Sequence, residues 1–312
     1  MIRPFAFLTS LALMSIVSGC VVTSHPTQVA TVGQPRSSSE FEAVIDKPGP
    51  ITFEKIKAAD WISPLSGLLN LKHPKSKAAG LKNKDEPIQI NFYALRHPTR
   101  GLFLVDTGVH QAERQGNKNS LLSGLVGKAI KADKIKIHID TATWLAKNKE
   151  KVAGVFLTHL HVDHILGFPD IPKGMPIYVG PGEASARQLQ NIFVQGITNK
   201  ALEGHAPLEQ LRFEPDSNGH FAGVSDIFGD GSVWALYVPG HTIGSISIVA
   251  RTTQGPVLLV GDACHTAYGW RNGIEPGTFS DDQKVSAKSL EALRSLVTRH
   301  PKMEVHVGHQ EL

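Results

Sequence analysis

Four side chains within six residues could bind metal ions and are the clearest chemical signal in this sequence. They are His159, His161, Asp163 and His164, in the segment Thr-His-Leu-His-Val-Asp-His at residues 158–164. Alternate side chains of an extended segment point to the same side, so the imidazoles of His159 and His161 can reach one ion. Asp163 and His164 come where we expect the chain to turn into a helix, and they offer a carboxylate and a third imidazole to a second ion.

Further aspartates and histidines follow other predicted strands. A single histidine is more often a surface or core residue than a ligand, but a solvated polar loop at residues 158–164 would not explain this wider pattern. Five apolar runs end in Asp or His: residues 101–105 before Asp106, 152–157 before His159, 233–238 before His241, 257–260 before Asp262, and 305–307 before His309. Because sites in α/β folds gather beyond the carboxyl ends of strands, we expect one composite metal site.

The elements that must position these residues are short strands and at least one helix. Residues 88–95 and 101–105 are β-favouring runs that predict a hairpin. Residues 140–148 predict a helix with Asp140 or Thr141 as its cap, and this helix leads into the strand at residues 152–157.

The overall composition is that of a globular protein with an excess of histidine over cysteine. The chain has 312 residues, of which 41% are hydrophobic and 19% charged, and this composition excludes a disordered or collagen-like protein. It contains 15 histidines and two cysteines, which favours nitrogen-ligated metal or acid–base chemistry. The formal net charge of +4 is too small to argue for a nucleic-acid partner.

The first 20 residues have the pattern of a bacterial lipoprotein signal peptide. Arg3 precedes an apolar run at residues 5–17 that is short for a membrane span, and the Val-Ser-Gly-Cys sequence ending at Cys20 resembles a lipoprotein cleavage site. A lipid on Cys20 would anchor the protein to a membrane and leave Cys264 without a disulfide partner. Because no aspartate follows Cys20, we expect outer-membrane attachment facing the periplasm. Residues 21–50, rich in Ser, Thr, Pro and Gly, predict a flexible tether before a folded domain at residues 51–312.

Taken in order, five motifs resemble the metallo-β-lactamase-fold hydrolase superfamily. They are Leu-Val-Asp-Thr-Gly at residues 104–108, the segment at 158–164, Pro-Gly-His-Thr at 239–242, Gly-Asp-Ala-Cys at 261–264, and Val-Gly-His at 307–309. The resemblance implies a four-layer αββα sandwich of the α/β (α+β) class, with a dinuclear metal site at the sheet edge. It also implies the ligands: His159, His161 and His241 on the first metal, Asp163, His164 and His309 on the second, Asp262 bridging both, and Asp106 orienting an imidazole.

The implied donor set has imidazoles and carboxylates but no thiolate. This set suits two zinc ions, with iron or manganese as alternatives. We expect a hydroxide between the two ions to attack the carbonyl carbon of an ester or lactone that one metal polarises. The other metal would hold the leaving oxygen, and Asp163 would carry the proton to it.

Within the superfamily, the motifs are most similar to the N-acyl homoserine lactonase group, which opens lactone rings in bacterial signalling molecules. The Gly-His-Gln at residues 308–310 departs from the Gly-His-Asp expected of many close lactonases. A penicillinase is disfavoured because its zinc–thiolate pattern is absent. The alternatives are a thioesterase of the glyoxalase II type, a phosphotriesterase-like enzyme, and a non-catalytic metal-binding lipoprotein. Asp163 counts against the last, since metal storage needs no proton-carrying carboxylate. The sequence leaves the oligomeric state open.

Three residues that follow Asp262 are weaker candidates. Tyr268 and His265 could contact the substrate, but a packing role for Tyr268 and a structural hydrogen bond for His265 are equally consistent with the sequence. Cys264 could tune the site, although a small buried residue is the favoured interpretation.

Overall fold

The computed structural model describes residues 21–115, 119–187 and 191–312, and the predicted signal segment with Cys20 lies outside them. The strands, in chain order, are β1 (Thr27–Val29), β2 (Gln34–Arg36), β3 (Thr52–Pro64), β4 (Asp85–His97), β5 (Gly101–Val105), β6 (Lys136–Ile137), β7 (Val152–Phe156), β8 (Ile177–Val179), β9 (Leu208–Gln210), β10 (Gly223–Asp226), β11 (Val233–Tyr237), β12 (Ile246–Thr252), β13 (Gly255–Gly261) and β14 (Glu304–Val307).

The helices lie between groups of these strands. They are α1 (Ser38–Ile45), α2 (Leu65–Leu68), α3 (Pro74–Ala78), α4 (Gln111–Gln115), α5 (Gly124–Ala129), α6 (Thr141–Asn148), α7 (Val162–Ile165), α8 (Asn191–Ala201), α9 (Ala267–Asn272) and α10 (Gln283–Arg299), with short 3-10 turns at Ala132–Lys134, Phe168–Asp170 and Glu183–Ser185. Within the described part of the chain, none of these helices is both long enough and apolar enough to cross a membrane.

Two sheets form the middle of the molecule. The larger has the strand order β1-β9-β8-β7-β5-β4-β3-β6, and the smaller has the order β14-β13-β12-β11-β10-β2. In the larger sheet the adjacent strands β1, β9, β8, β7 and β5 are parallel to one another. In the smaller sheet β13 and β14 are parallel. The carboxyl ends of parallel strands lie at the same edge, so the residues that follow them can form one site.

Apolar side chains fill three layers, one between the sheets and one on each outer face. Phe156 of β7 packs with Ile248 of β12 between the sheets. Trp144 of α6 lies against the larger sheet, with its ring 5.3 Å from that of Phe92, and Leu293 of α10 packs on the outer face of the smaller sheet. The predicted four-layer αββα sandwich is therefore confirmed.

The predicted strands and helix that lead to the candidate site are also present. Strands β5, β7, β11, β13 and β14 cover the five predicted runs to within two residues at each end. Helix α6 begins after Asp140, whose side chain accepts a hydrogen bond from the backbone N–H of Thr143. Strand β4 is longer than the predicted 88–95 run because its polar ends pair with β3 along nearly their whole length.

The structure corrects the prediction of a flexible tether at residues 21–50. This segment contributes edge strand β1 to the larger sheet, edge strand β2 to the smaller sheet, and helix α1. Ser37 and Glu40 form a capping box at the start of α1, and Phe41 and Ile45 on its inner face are 0% exposed. The polar composition is misleading here because each strand is only three residues long and forms only by pairing with a distant strand. The folded domain therefore starts well before residue 51.

Candidate metal centre

The ends of five strands bring the predicted site residues to one edge of the sandwich. Asp106 follows β5, His159 follows β7, His241 follows β11, Asp262 follows β13, and His309 follows β14. His161 precedes the short helix α7, which carries Asp163 and His164. All seven residues predicted to bind metal fall into groups whose ligand atoms lie within 4.8 Å of one another, so these groups can hold metal ions.

The first group consists of His159, His161, His241 and Asp262. Nε2 of His241 lies 3.1 Å from Nε2 of His159 and 2.9 Å from Nδ1 of His161. Oδ2 of Asp262 lies 3.4 Å from Nε2 of His241. Each neutral imidazole has only one N–H, so hydrogen bonds cannot satisfy all of these close contacts at once, and some of the nitrogen lone pairs repel each other. A divalent cation among the three lone pairs removes the repulsion, so the donor set fits a metal ion.

The second group consists of Asp163, His164 and His309, and it lies next to Asp262. Nε2 of His309 is 3.4 Å from Oδ2 of Asp163 and 3.2 Å from Oδ1 of Asp262. Nε2 of His164 is 3.3 Å from Oδ2 of Asp262 but makes no hydrogen bond to any described residue. A buried imidazole nitrogen without a hydrogen bond needs another partner, and a metal ion would supply one. This group therefore also fits a divalent ion.

Two glycines allow Asp262 to lie between the two groups. Gly261 has a φ of 58°, in the left-handed region, and this conformation turns the chain as β13 ends. A Cβ atom on Gly308 would lie 2.3 Å from Oδ1 of Asp262. The glycine before His309 is therefore required by the close approach of the carboxylate and not by a turn.

Hydrogen bonds outside the groups fix which nitrogen of an imidazole faces inward. Nδ1 of His164 lies 2.8 Å from Oδ2 of Asp106, and Nδ1 of His309 lies 2.9 Å from the carbonyl oxygen of Gln89. Because these oxygens accept, Nδ1 carries a hydrogen, and Nε2 of the neutral ring presents a lone pair to the site. Asp106 also accepts from the backbone N–H of Thr158 at 2.9 Å. These are the contacts expected of the imidazole-orienting role predicted for Asp106.

The two groups differ in their electrostatics. Burial, with the neighbouring imidazoles acting in the same direction, lowers the pKa of His159 and His241 well below the usual value, and burial lowers the pKa of His161 to about 4. Burial opposes charge on His164 and His309 as well, but nearby carboxylates, Asp262 foremost, raise the pKa of His164 well above its usual value and that of His309 to about 9. The first group therefore offers neutral nitrogen donors, and the second attracts positive charge.

A buried carboxylate that the sequence motifs did not predict links two of the site loops. Glu183 is 1% exposed, and its Oε1 accepts from the backbone N–H of Leu160 at 2.7 Å. Its Oε2 accepts from Oγ1 of Thr242 at 2.6 Å and from the backbone N–H of Gly244 at 3.0 Å. Burial raises the pKa of Glu183 to about 7.

The position of these partners gives Glu183 its importance. Leu160 lies between His159 and His161, and Thr242 follows His241, so Glu183 holds together the two loops that supply the first group. A signal for it was present in the sequence, because the Gly-Pro-Gly-Glu at residues 180–183 follows β8 and is another glycine-containing strand exit that ends in a carboxylate.

The three weaker candidates have different surroundings. Tyr268 lies in the first turn of α9 with 37% of its surface exposed, and no hydrogen bond among the described residues joins its hydroxyl to the site. Cys264 is a free cysteine, 1% exposed, and burial raises the pKa of its thiol to about 12, so it packs as a small core residue. His265 is 1% exposed, and its Nε2 lies 3.1 Å from Oδ2 of Asp262.

Comparison with known proteins assigns a family to this arrangement. A family sequence model described as the metallo-beta-lactamase superfamily matches residues 85–309, which is well over half of the chain. The chain belongs to the metallo-beta-lactamase superfamily. Every candidate ligand and Asp106 lie within the matched residues.

Curated relatives within the metallo-beta-lactamase superfamily include lactamases and lactonases. Gamma-lactamase MBL2 of Gibberella moniliformis is 30% identical over 171 residues, which cover 51% of this chain and 69% of that protein. N-acyl homoserine lactonase AttM of Rhizobium johnstonii is 27% identical over 237 residues, which cover 75% of this chain and 87% of that protein. The match to gamma-lactamase FDB1 of Fusarium pseudograminearum covers only 34% of that protein.

Solved structures show the same metallo-beta-lactamase fold. A quorum-quenching N-acyl homoserine lactone lactonase superposes with a TM-score of 0.59 at 19% identity and covers 85% of this chain and 93% of its own. AidC, a dizinc quorum-quenching lactonase, superposes with a TM-score of 0.52 at 12% identity. The family, the relatives and these neighbours together indicate a metal-dependent hydrolase.

Proposed function

We propose that this protein hydrolyses a small lactone of the N-acyl homoserine type at a dinuclear metal centre, with zinc as the expected metal. The observation that carries the proposal is the pair of donor groups that meet at Asp262, whose Oδ2 lies within 3.4 Å of His164, His241 and His309. One carboxylate placed between two sets of imidazoles suits two ions held side by side. A single structural metal would need only one of these sets.

The chain would divide the chemical work among its own residues. Two ions bound here would lower the pKa of a water molecule and polarise the carbonyl of the substrate. Lactone hydrolysis adds water to the carbonyl carbon, breaks the bond between that carbon and the ring oxygen, and delivers a proton to the ring oxygen. We assign the proton transfer to the carboxylate of Asp163, because its side chain is 19% exposed while those of Asp262 and Asp106 are 3% and 4% exposed.

The relatives and the side chains beside the site support a cyclic acyl substrate. The named lactonase and gamma-lactamase relatives act on cyclic esters and cyclic amides, respectively. Ile243, two residues after His241, is 51% exposed, and Phe279, whose ring lies 6.4 Å from that of His265, is 36% exposed. Apolar side chains next to the polar centre suit the hydrocarbon part of an acylated ring.

A substrate panel on zinc-reconstituted protein tests this proposal. The panel contains an N-acyl homoserine lactone, the γ-lactam with the same acyl chain, S-lactoylglutathione and a phosphotriester. We expect the lactone to be hydrolysed fastest. Faster turnover of the lactam, the thioester or the phosphotriester would replace the proposed substrate class, and two bound metals with no hydrolysis of any compound would favour a metal-binding lipoprotein.

Variants test the assignment of the site. His161→Ala and Asp163→Ala should lose both metal and turnover, and retained activity in a metal-free preparation would contradict the proposal. His220→Ala is a matched control, because this histidine has a side chain 42% exposed and pairs with Glu42 away from the site.

We also propose that Cys20 carries a lipid and holds the domain at the periplasmic face of the outer membrane. The support is the cleavage-site pattern at residues 17–20. Val22, 5% exposed, lines a small pocket with His161 and Glu183, so the anchor would keep the site close to the membrane. Mass spectrometry of the mature N-terminus tests for the lipid, and wild-type protein without lipid would contradict the anchor. Membrane fractionation of the wild type and of Cys20→Ser tests the location, and lipidated protein in the inner membrane would contradict the outer-membrane assignment.

A further inference from the structure

His265 faces the candidate metal centre although neither the motif spacing nor the superfamily resemblance gave it a metal-binding role. Its Nε2 lies 3.1 Å from Oδ2 of Asp262. Its ring stacks on that of His309, with centroids 5.5 Å apart and planes 12° from parallel. With Asp262 and His309 it forms a further buried group whose ligand atoms are close enough to hold an ion.

The hydrogen bonding of His265 leaves a lone pair directed at the site. Nδ1 lies 2.9 Å from the carbonyl oxygen of Leu68, and a carbonyl can only accept, so Nδ1 carries the hydrogen. In the neutral ring Nε2 is then an acceptor that faces a carboxylate oxygen. Two acceptors 3.1 Å apart repel each other unless a cation lies between or beside them. His164 and His309 have the same arrangement, with Nδ1 bonded outward and Nε2 turned inward.

The surroundings hold this imidazole in place. Leu68, at the end of α2, is 2% exposed and supplies the accepting carbonyl. The backbone carbonyls of Cys264 and His265 accept from the N–H groups of Gly308 and His309 at 2.9 and 3.0 Å, so the turn after β13 is tied to the residues after β14. Because His265 is only 1% exposed, it has little surface to offer a substrate. A ligand role fits its burial better than a substrate contact does.

We infer that His265 is an additional protein ligand of the second metal ion, through Nε2, beside Asp163, His164, His309 and Asp262. This inference rests on the proposed dinuclear centre. The second ion would then have three imidazoles and two carboxylates from the protein, whereas the first would have three imidazoles and one carboxylate. A site with this many protein ligands has fewer positions left for water or substrate.

Stepwise zinc titration of the full chain against a competing chelator tests the inference. We compare wild type with His265→Asn, whose side-chain amide can still donate to the carbonyl of Leu68, and with Cys264→Ala as the matched control in the same turn. The wild type should bind two zinc ions. In His265→Asn the second should bind at least about tenfold more weakly, while the first is unchanged. Cys264→Ala should bind both ions as the wild type does.

The pattern of loss separates a ligand from a residue that only positions Asp262. A positioning role would weaken both ions, because Asp262 touches both groups, and this outcome or an unchanged second ion would overturn the inference. A wild type that binds fewer than two zinc ions would refute the dinuclear proposal itself. If His265→Asn does not fold, cadmium-113 NMR of the wild type and His265→Gln replaces the titration. One of the two cadmium resonances should then move upfield on loss of a nitrogen ligand, and movement of both or neither would overturn the inference.

Discussion

Replacement of Glu183 by glutamine tests whether one buried carboxylate holds the first group of ligands in place. The side-chain carbonyl of glutamine can accept from only one of the two backbone N–H groups that Glu183 binds, those of Leu160 and Gly244. The amide nitrogen, which is itself a donor, then faces the other N–H. One buried backbone donor is therefore left without an acceptor, at a cost of about 1–3 kcal/mol. Because Glu183 links the loops of His161 and His241, the first metal ion should also bind about tenfold more weakly.

The same substitution makes a prediction about pH. The pKa of Glu183 is about 7 in the folded protein, against an ordinary value of 4.5, so the folded state binds this proton more tightly than the unfolded state does. The resulting stabilisation is fully present below pH 4.5 and is lost as the pH rises through about 7. A pKa shift from 4.5 to about 7 corresponds to about 3 kcal/mol of pH-dependent stability. The glutamine variant lacks this contribution because its side chain does not titrate.

Urea unfolding of the metal-free protein at pH 5 and pH 8 measures this difference. The stability of the wild type relative to Glu183→Gln should fall by about 2.5 kcal/mol between pH 5 and pH 8, because at pH 5 the unfolded chain is already partly ionised. Glu209→Gln is the matched control, because Glu209 is also buried, at 8% exposed, and its carboxylate accepts from Gln28 and Thr31 and not from a loop that carries a candidate ligand. If the wild type and Glu183→Gln differ by the same amount at both pH values, the argument from burial is wrong.

Three further substitutions test separate parts of the structure. Phe41→Ala should destabilise the protein by about 3–5 kcal/mol in urea unfolding, because Phe41 is 0% exposed and packs 5.3 Å from the ring of Trp234; a loss below about 1 kcal/mol would mean that helix α1 is not part of the core. Gly308→Ala should displace Asp262 and reduce bound zinc in elemental analysis, whereas Gly196→Ala, where a Cβ meets nothing within 4 Å, should leave it unchanged; equal zinc in both variants would contradict the steric argument. Asp106→Asn should weaken the second zinc by about 10- to 100-fold in chelator competition, because it alters the partner of Nδ1 of His164, and an unchanged affinity would refute the orienting contact.

The sequence was sufficient to predict the architecture around the site because the informative residues are local to it. Each candidate ligand follows a strand or begins a short helix, so a run such as residues 152–157 and the histidines after it can be read together. Asp140 as the cap of α6 is also a local signal. These elements needed no knowledge of distant contacts.

The features that the sequence does not predict depend on distant partners. Strands β1 and β2 form only by pairing with β9 and β10, so the composition of residues 21–50 alone predicts a tether. The orientation of His265 is set by the carbonyl of Leu68, 197 residues earlier in the chain. Glu183 acquires its role from Leu160 and Thr242, which approach it only in the folded protein. Local composition and spacing carry no direct information about such contacts.

The most direct test of the proposed function is the rate of N-acyl homoserine lactone hydrolysis as a function of zinc bound per chain. Metal-free protein is titrated with zinc, and bound metal and initial rate are measured on the same samples. The proposed function predicts no hydrolysis without metal and a maximum rate when both donor groups around Asp262 are filled. Full activity without metal, or no activity at two zinc ions per chain, would contradict it.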